Sequence, residues 1–202
     1  MAVNLQKGQR VDLTKPDGSA LRRVMVGLGW DEAKKAGNGL LGGIFGGKKE
    51  HDIDCDATVF LCSGGKLKGR DDIVYFGNLE HMSGCVKHMG DNLTGEGEGD
   101  DEQIFVDLSR LPAQYDKIIF VVNIYKARER SQHFGMIQNA FIRIADDDTH
   151  KELFRYNLSE NYDGLTAMVF GEIYLRSGQW RFNAIGQATK DNSIEELARR
   201  FM

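Results

Sequence analysis

An antiparallel β-sandwich with a few short helices is the fold this sequence predicts, on three observations. Ten short apolar segments, rich in β-branched and aromatic residues, recur along the chain between Gly, Asn, Asp or Ser breaks. Helix signals are confined to two brief stretches. No strand–helix alternation of the parallel-sheet kind runs through the sequence, so the strands pair antiparallel.

The elements follow in order. Strands are expected near Arg10–Leu13, Leu21–Leu28, Ala57–Cys62, Ile73–Phe76 and Ile104–Asp107. More are expected near Ile118–Tyr125, Asn139–Ala145, Glu152–Tyr156, Thr166–Arg176 and Trp180–Gln187. The run IIFVVNIY at Ile118–Tyr125 is almost continuously apolar, which suits a central strand covered on both faces. Its successor AFIRIAD alternates, as a half-buried strand does. EIYLRSGQWRFNAIG turns at Ser177-Gly178 and reads as a hairpin. Ser109 is placed to cap a turn or two of helix in LSRLPAQY. Ser193, with Glu196 three residues on, has capping-box spacing, and Ile194, Leu197, Ala198 and Phe201 share one helical face.

With 202 residues, 41% hydrophobic and 28% charged, the chain is read as one domain over 1–202. A net charge of −4 and a pI near 5.8 argue against a nucleic-acid partner held by general electrostatics. The opening MAVNLQKGQRVDL has no apolar leader core, and no apolar run approaches the roughly 20 residues of a membrane span. Three cysteines, Cys55, Cys62 and Cys85, form no CxxC pair and point to reduced thiols in a cytoplasm. A Gly-rich loop at about 34–50 exposes Leu40, Leu41, Ile44 and Phe45 between lysine pairs. It is read as a mobile connection, or as the contact for a protein partner or the inner membrane surface.

The segment that speaks most to function is GDNLTGEGEGDDE at Gly90–Glu102. Between Asp91 and Glu102 it holds six carboxylates and no lysine or arginine. Such a run is either a solvated acidic loop or one wall of a site for a hard cation with oxygen ligands, calcium first. It is not an EF-hand: the third and fifth positions are Leu93 and Gly95, and the sixth, which must be glycine, is Glu96. A second wall is available in DIDCDATVF, where Asp52, Asp54 and Asp56 at spacing two point to one side of an extended chain. The alternative is a charged sheet edge. Asp31 and Asp71-Asp72 are candidates for the same rim, and Asp146-Asp147-Asp148 reads as a solvated turn. His81, Cys85 and His88 sit close enough in sequence for zinc but lack a fourth ligand. No GxSxG or other nucleophile signature supports catalysis.

GLGWD at Gly27–Asp31, DxDA at Asp54–Ala57 and the acidic loop together resemble the signature of the tellurium-resistance TerD family. The order of NLQKGQRVDL, IVYFGNL, IFVDLSRLP, IIFVVNIY and GQWRFNAIG agrees along nearly the whole chain. The resemblance implies a non-enzymatic β-sandwich of a bacterial tellurium-resistance and stress-response system that binds two calcium ions. Carried over by position, it implies Asp54 and Asp56 as ligands, with Asp91, Asn92, Asp100, Asp101 and Glu102 from the loop. Leu93 and Gly97 would give backbone carbonyls, and Asp31 would sit beside the ions or fix the loop. Two readings stand beside it: a scaffold or membrane-associated adaptor with structural calcium, and a metal-dependent or thiol enzyme. The Gly-rich loop lengthens the family pattern, and Cys55 stands where an aliphatic residue is common.

Overall fold

The computed structural model describes residues 2–32, 53–90 and 99–202, so the Gly-rich loop, Asp52 and 91–98 lie outside the described residues. The strands in chain order are β1 (Val3–Asn4), β2 (Arg10–Asp12), β3 (Arg23–Glu32), β4 (Cys55–Ser63), β5 (Lys66–Leu67), β6 (Ile73–Val74) and β7 (Val86–His88). They continue as β8 (Glu102–Asp107), β9 (Lys117–Ile124), β10 (Ile137–Asp146), β11 (Lys151–Asn157), β12 (Ala167–Arg176) and β13 (Gln179–Thr189). Among the described residues there are also two short α-helices, α1 (Ala127–Arg130) and α2 (Ile194–Arg199), and 3-10 turns at Arg70–Asp72 and Phe134–Met136.

One sheet has the order β1-β11-β10-β3-β8-β7, the other β2-β13-β12-β9-β4-β5 with β6 also on β4. Pairing is antiparallel except between β1 and β11. The sheets face one another across a core that takes alternate residues of each strand: Val24, Val26 and Leu28 from one side, Ala57, Val59 and Leu61 from the other.

The second sheet is buried on its outer face too. Ile118, Phe120, Val122 and Ile124 of β9 enter the inter-sheet core, while Ile119 and Val121 join Phe60 and Cys62 beneath α2. This is why IIFVVNIY carries no polar alternation. Leu197 and Ala198 seal that outer layer, and the rings of Phe60 and Phe201 lie 5.7 Å apart. Burying a side chain such as Phe60 completely contributes roughly 2–3 kcal/mol. Ser193 Oγ accepts the Glu196 N–H, as expected of a cap, while Glu196 Oε2 accepts from Asn192 N–H, one residue before the usual box partner. The β12–β13 hairpin turns at Ser177-Gly178 with both residues at positive φ, the geometry of a type I′ turn.

Two sequence expectations change. LSRLPAQY forms turns rather than a helix, because Asp107 Oδ1 accepts both the N–H and the hydroxyl of Ser109. Helix α1 forms instead after β9, between Lys126 and Ser131, both left-handed. Strands β4 and β8 also start two residues earlier than expected, so Cys55, Asp56 and Glu102 are strand residues.

Candidate functional site

The register brings the candidate residues to one end of the sandwich. Leu28 pairs with Glu102, Cys55 with Ile124, and Glu32 with Ile137. Trp30, Asp31, Asp54, Asp56, His88 and Asp100–Glu102 therefore gather where β3, β7 and β9 finish and where β4, β8 and β10 begin.

The second-sheet wall behaves as period-two spacing requires. Cys55 points into the inter-sheet core, and Asp54 and Asp56 take the opposite face. Asp56 is buried beside Asn123, its register partner on β9. Both line a groove of about 510 Å³ with Tyr125, Lys126 and Arg128. Asp54 Oδ2 lies 3.6 Å from Arg130 Nη1, and its carbonyl accepts Tyr125 N–H at 2.7 Å. Burial pushes the Cys55 thiol well up, and the field of Asp56, Glu102, Asp54 and Asp101 adds to this. Burial also pushes Cys62 up to about 12.

The first-sheet wall separates three consecutive acids. Asp100 lies on the outer face, where Arg143 grips it with Nε at 2.5 Å and Nη2 at 2.6 Å. Asp101 Oδ2 accepts Trp30 N–H at 2.7 Å, and its own N–H donates to Leu28 O at 2.8 Å. Glu102 turns inward, with Oε2 2.6 Å from His88 Nε2 and both side chains almost wholly buried. Because His88 Nδ1 accepts the Gly90 N–H, the proton sits on Nε2 and is donated to the Ala57 carbonyl at 3.2 Å, with Glu102 beside the same nitrogen. Asp31, exposed, accepts from Asn139 Nδ2 at 2.7 Å.

The other acid and zinc candidates go elsewhere. Asp72 bonds Tyr115 and approaches His81; the Phe60–Ile73 pairing puts Asp71-Asp72 toward the far end of β4, away from the rim expected for them. Asp146, Asp147 and Asp148 pair with Lys15 and Arg23. His81 bonds Ser83, Cys85 reaches the Arg110 carbonyl and His88 serves Glu102, so the structure does not bring these three together as a zinc site. Among the described residues, no three Asp, Glu, His or Cys side chains form a metal cluster. Asp91, Asn92, Leu93 and Gly97 lie outside the described residues.

Sequence reasoning missed Arg143, Asn123 and His88 as partners of this end. The one available signal was Arg143 itself, a charge in the middle of an otherwise apolar strand segment.

Comparison with known proteins agrees with this architecture. The TerD domain family model matches residues 1–201. Stress response protein SCP2 of Bacillus subtilis (strain 168) is 48% identical over 202 residues, covering 100% of each chain. Tellurium resistance protein TerD of Serratia marcescens is 44% identical over 188 residues, 93% of this chain and 91% of that one. The crystal structure of a homologue of telluride resistance protein (TerD) from Streptomyces coelicolor A3(2) superposes with a TM-score of 0.65. It shares 19% identity over 91% of this chain and 99% of that chain, a likeness of fold alone.

Proposed function

This chain belongs to the TerD family, and from that premise we propose that it is a non-enzymatic calcium-binding protein of a bacterial tellurium-resistance and stress-response system. One observation carries the reading: the DxD strand start and the acidic segment, far apart in sequence, meet at one end of the sandwich. The donors there suit a hard cation. Asp54, Asp56, Asp101 and Glu102 offer carboxylate oxygen, and the nearest imidazole, His88, already uses both ring nitrogens. Asp91, Asn92 and the carbonyls of Leu93 and Gly97 would complete the shell, with two ions as the family resemblance implies. Bound calcium would supply positive charge that holds the acidic segment against the sandwich.

The thiol-enzyme reading has little support. Cys55, Cys62 and Cys85 are all buried, and burial keeps Cys55 and Cys62 in the unreactive thiol form at neutral pH. Among the described residues no helix is long and apolar enough to cross a membrane.

Thermal melts with calcium and with EDTA test the proposal. A ligand that binds only the folded state raises the midpoint by an amount that grows with the logarithm of its concentration above Kd. The expected result is a calcium-dependent rise in wild type that is lost in Asp56→Asn. Identical midpoints in calcium and EDTA would contradict it.

A further inference from the structure

Both oxygens of Asp100 are committed to one cation of the protein itself. Arg143 Nε meets Oδ1, Nη2 meets Oδ2, and Gln103 Nε2 adds a bond to Oδ2 at 3.0 Å. The carboxylate is 1% exposed. A calcium ion could recruit it only by displacing a bidentate, charge-assisted fork.

The seat for this pair is built into the sheet. Arg143 lies beside Gly27 in the β3–β10 register, and a Cβ on Gly27 would overlap the Asp100 carboxylate. A Cβ on Gly29 would strike Phe141 and crowd the Gly99 carbonyl. These two glycines let the end of the acidic segment lie flat on the outer face. Arg143 is steadied by Glu152 at 3.5 Å, and Arg155, which also approaches Glu152, stacks over Phe141 at 3.6 Å. The chain bends at Asp101, so Asp100 faces outward while Glu102 turns to the inter-sheet side.

Resting on the calcium reading above, we propose that Asp100 is an anchor and not a ligand, and that Arg143 is a positioning residue for cation binding. By pinning Asp100, Arg143 fixes the path of Gly99–Asp100 on the outer face and aims Asp101 and Glu102 at the end of the sandwich. It does so from β10, with no contact to the ion.

The test uses the full chain carrying Asp100→Asn, Arg143→Gln or Arg143→Lys. Two readouts are taken: calcium titration by calorimetry, and hydrogen exchange of the 99–103 segment in EDTA. All three variants should keep the wild-type number of ions and lose about tenfold in affinity. Lysine should not rescue, since it cannot form the fork. The Asp101 amide, bonded to Leu28 O, should exchange faster in every variant. Loss of one ion in Asp100→Asn with none lost in Arg143→Gln would make Asp100 a ligand and overturn the proposal, as would unchanged exchange and affinity in Arg143→Gln. If wild type takes up no calcium, the calcium reading fails by itself and exchange alone decides the anchor: faster supports it, unchanged overturns it. Should Arg143→Gln fail to fold, Asp100→Asn, which keeps the shape of the side chain, carries both readouts.

Discussion

Asp100-Asp101-Glu102 and Asp146-Asp147-Asp148 are both runs of three acids at a strand end, and the fold treats them in opposite ways. The second run closes β10 and meets Lys15 and Arg23, so each of its carboxylates has a cation within 4.0 Å. Hydrogen bonds and charge from Arg23 hold the Asp148 carboxyl below its ordinary range, and the run's three carboxylates share two cations where they stand. The first run opens β8 and is dispersed: one acid to Arg143 on the outer face, one to a backbone N–H, one to a buried histidine. Both runs hold three carboxylates. What differs is where the partners stand: the second run meets two cations together, and the first is shared out among three other strands at the end proposed to bind calcium.

The largest break in this comparison should come from His88→Leu. Glu102 would keep its burial and lose the imidazole 2.6 Å away, and the Ala57 carbonyl would lose its bond from Nε2, a change that costs about 3 kcal/mol. Urea unfolding in EDTA measures it; a loss well under 1 kcal/mol would mean that Glu102 is sustained from elsewhere. Gly27→Ala comes next. Its methyl would occupy the Asp100 seat, and the forced shift should cost about 2 kcal/mol in the same assay. Thiol labelling at pH 8 sharpens the inner side of the wall. Cys62, with its pKa near 12, and Cys55 should stay unlabelled in the native protein, and all three cysteines should react in denaturant. Rapid native labelling of Cys55 would show that the Asp54–Asp56 wall is open. The smallest effect belongs to Asp148→Asn, whose partner Arg23 is half exposed. The calcium-dependent midpoint rise should be unchanged, and the midpoint in EDTA should move only marginally.

Sequence patterns revealed β9 and the DxD wall because the deciding information is local. A continuous apolar run means two covered faces, and spacing two means one side of a strand. The two-residue strands β1 and β5 carry no period to read. Helix α1 escaped because its limits are set by left-handed Lys126 and Ser131 and not by glycine. Ser109 misled because a nearby Asp outcompeted the helix for its donors. The division of labour among Asp100, Asp101 and Glu102 was illegible for a related reason. Their partners Arg143, Trp30 and His88 lie on three other strands, and only the register brings them there.

Calorimetric titration of the wild-type chain with calcium tests the central claim most directly, with Asp56→Asn and Asp148→Asn run beside it. Saturable heat is expected in wild type and Asp148→Asn, and a lost or strongly weakened response in Asp56→Asn. No heat in wild type, or equal heat in all three, would contradict it.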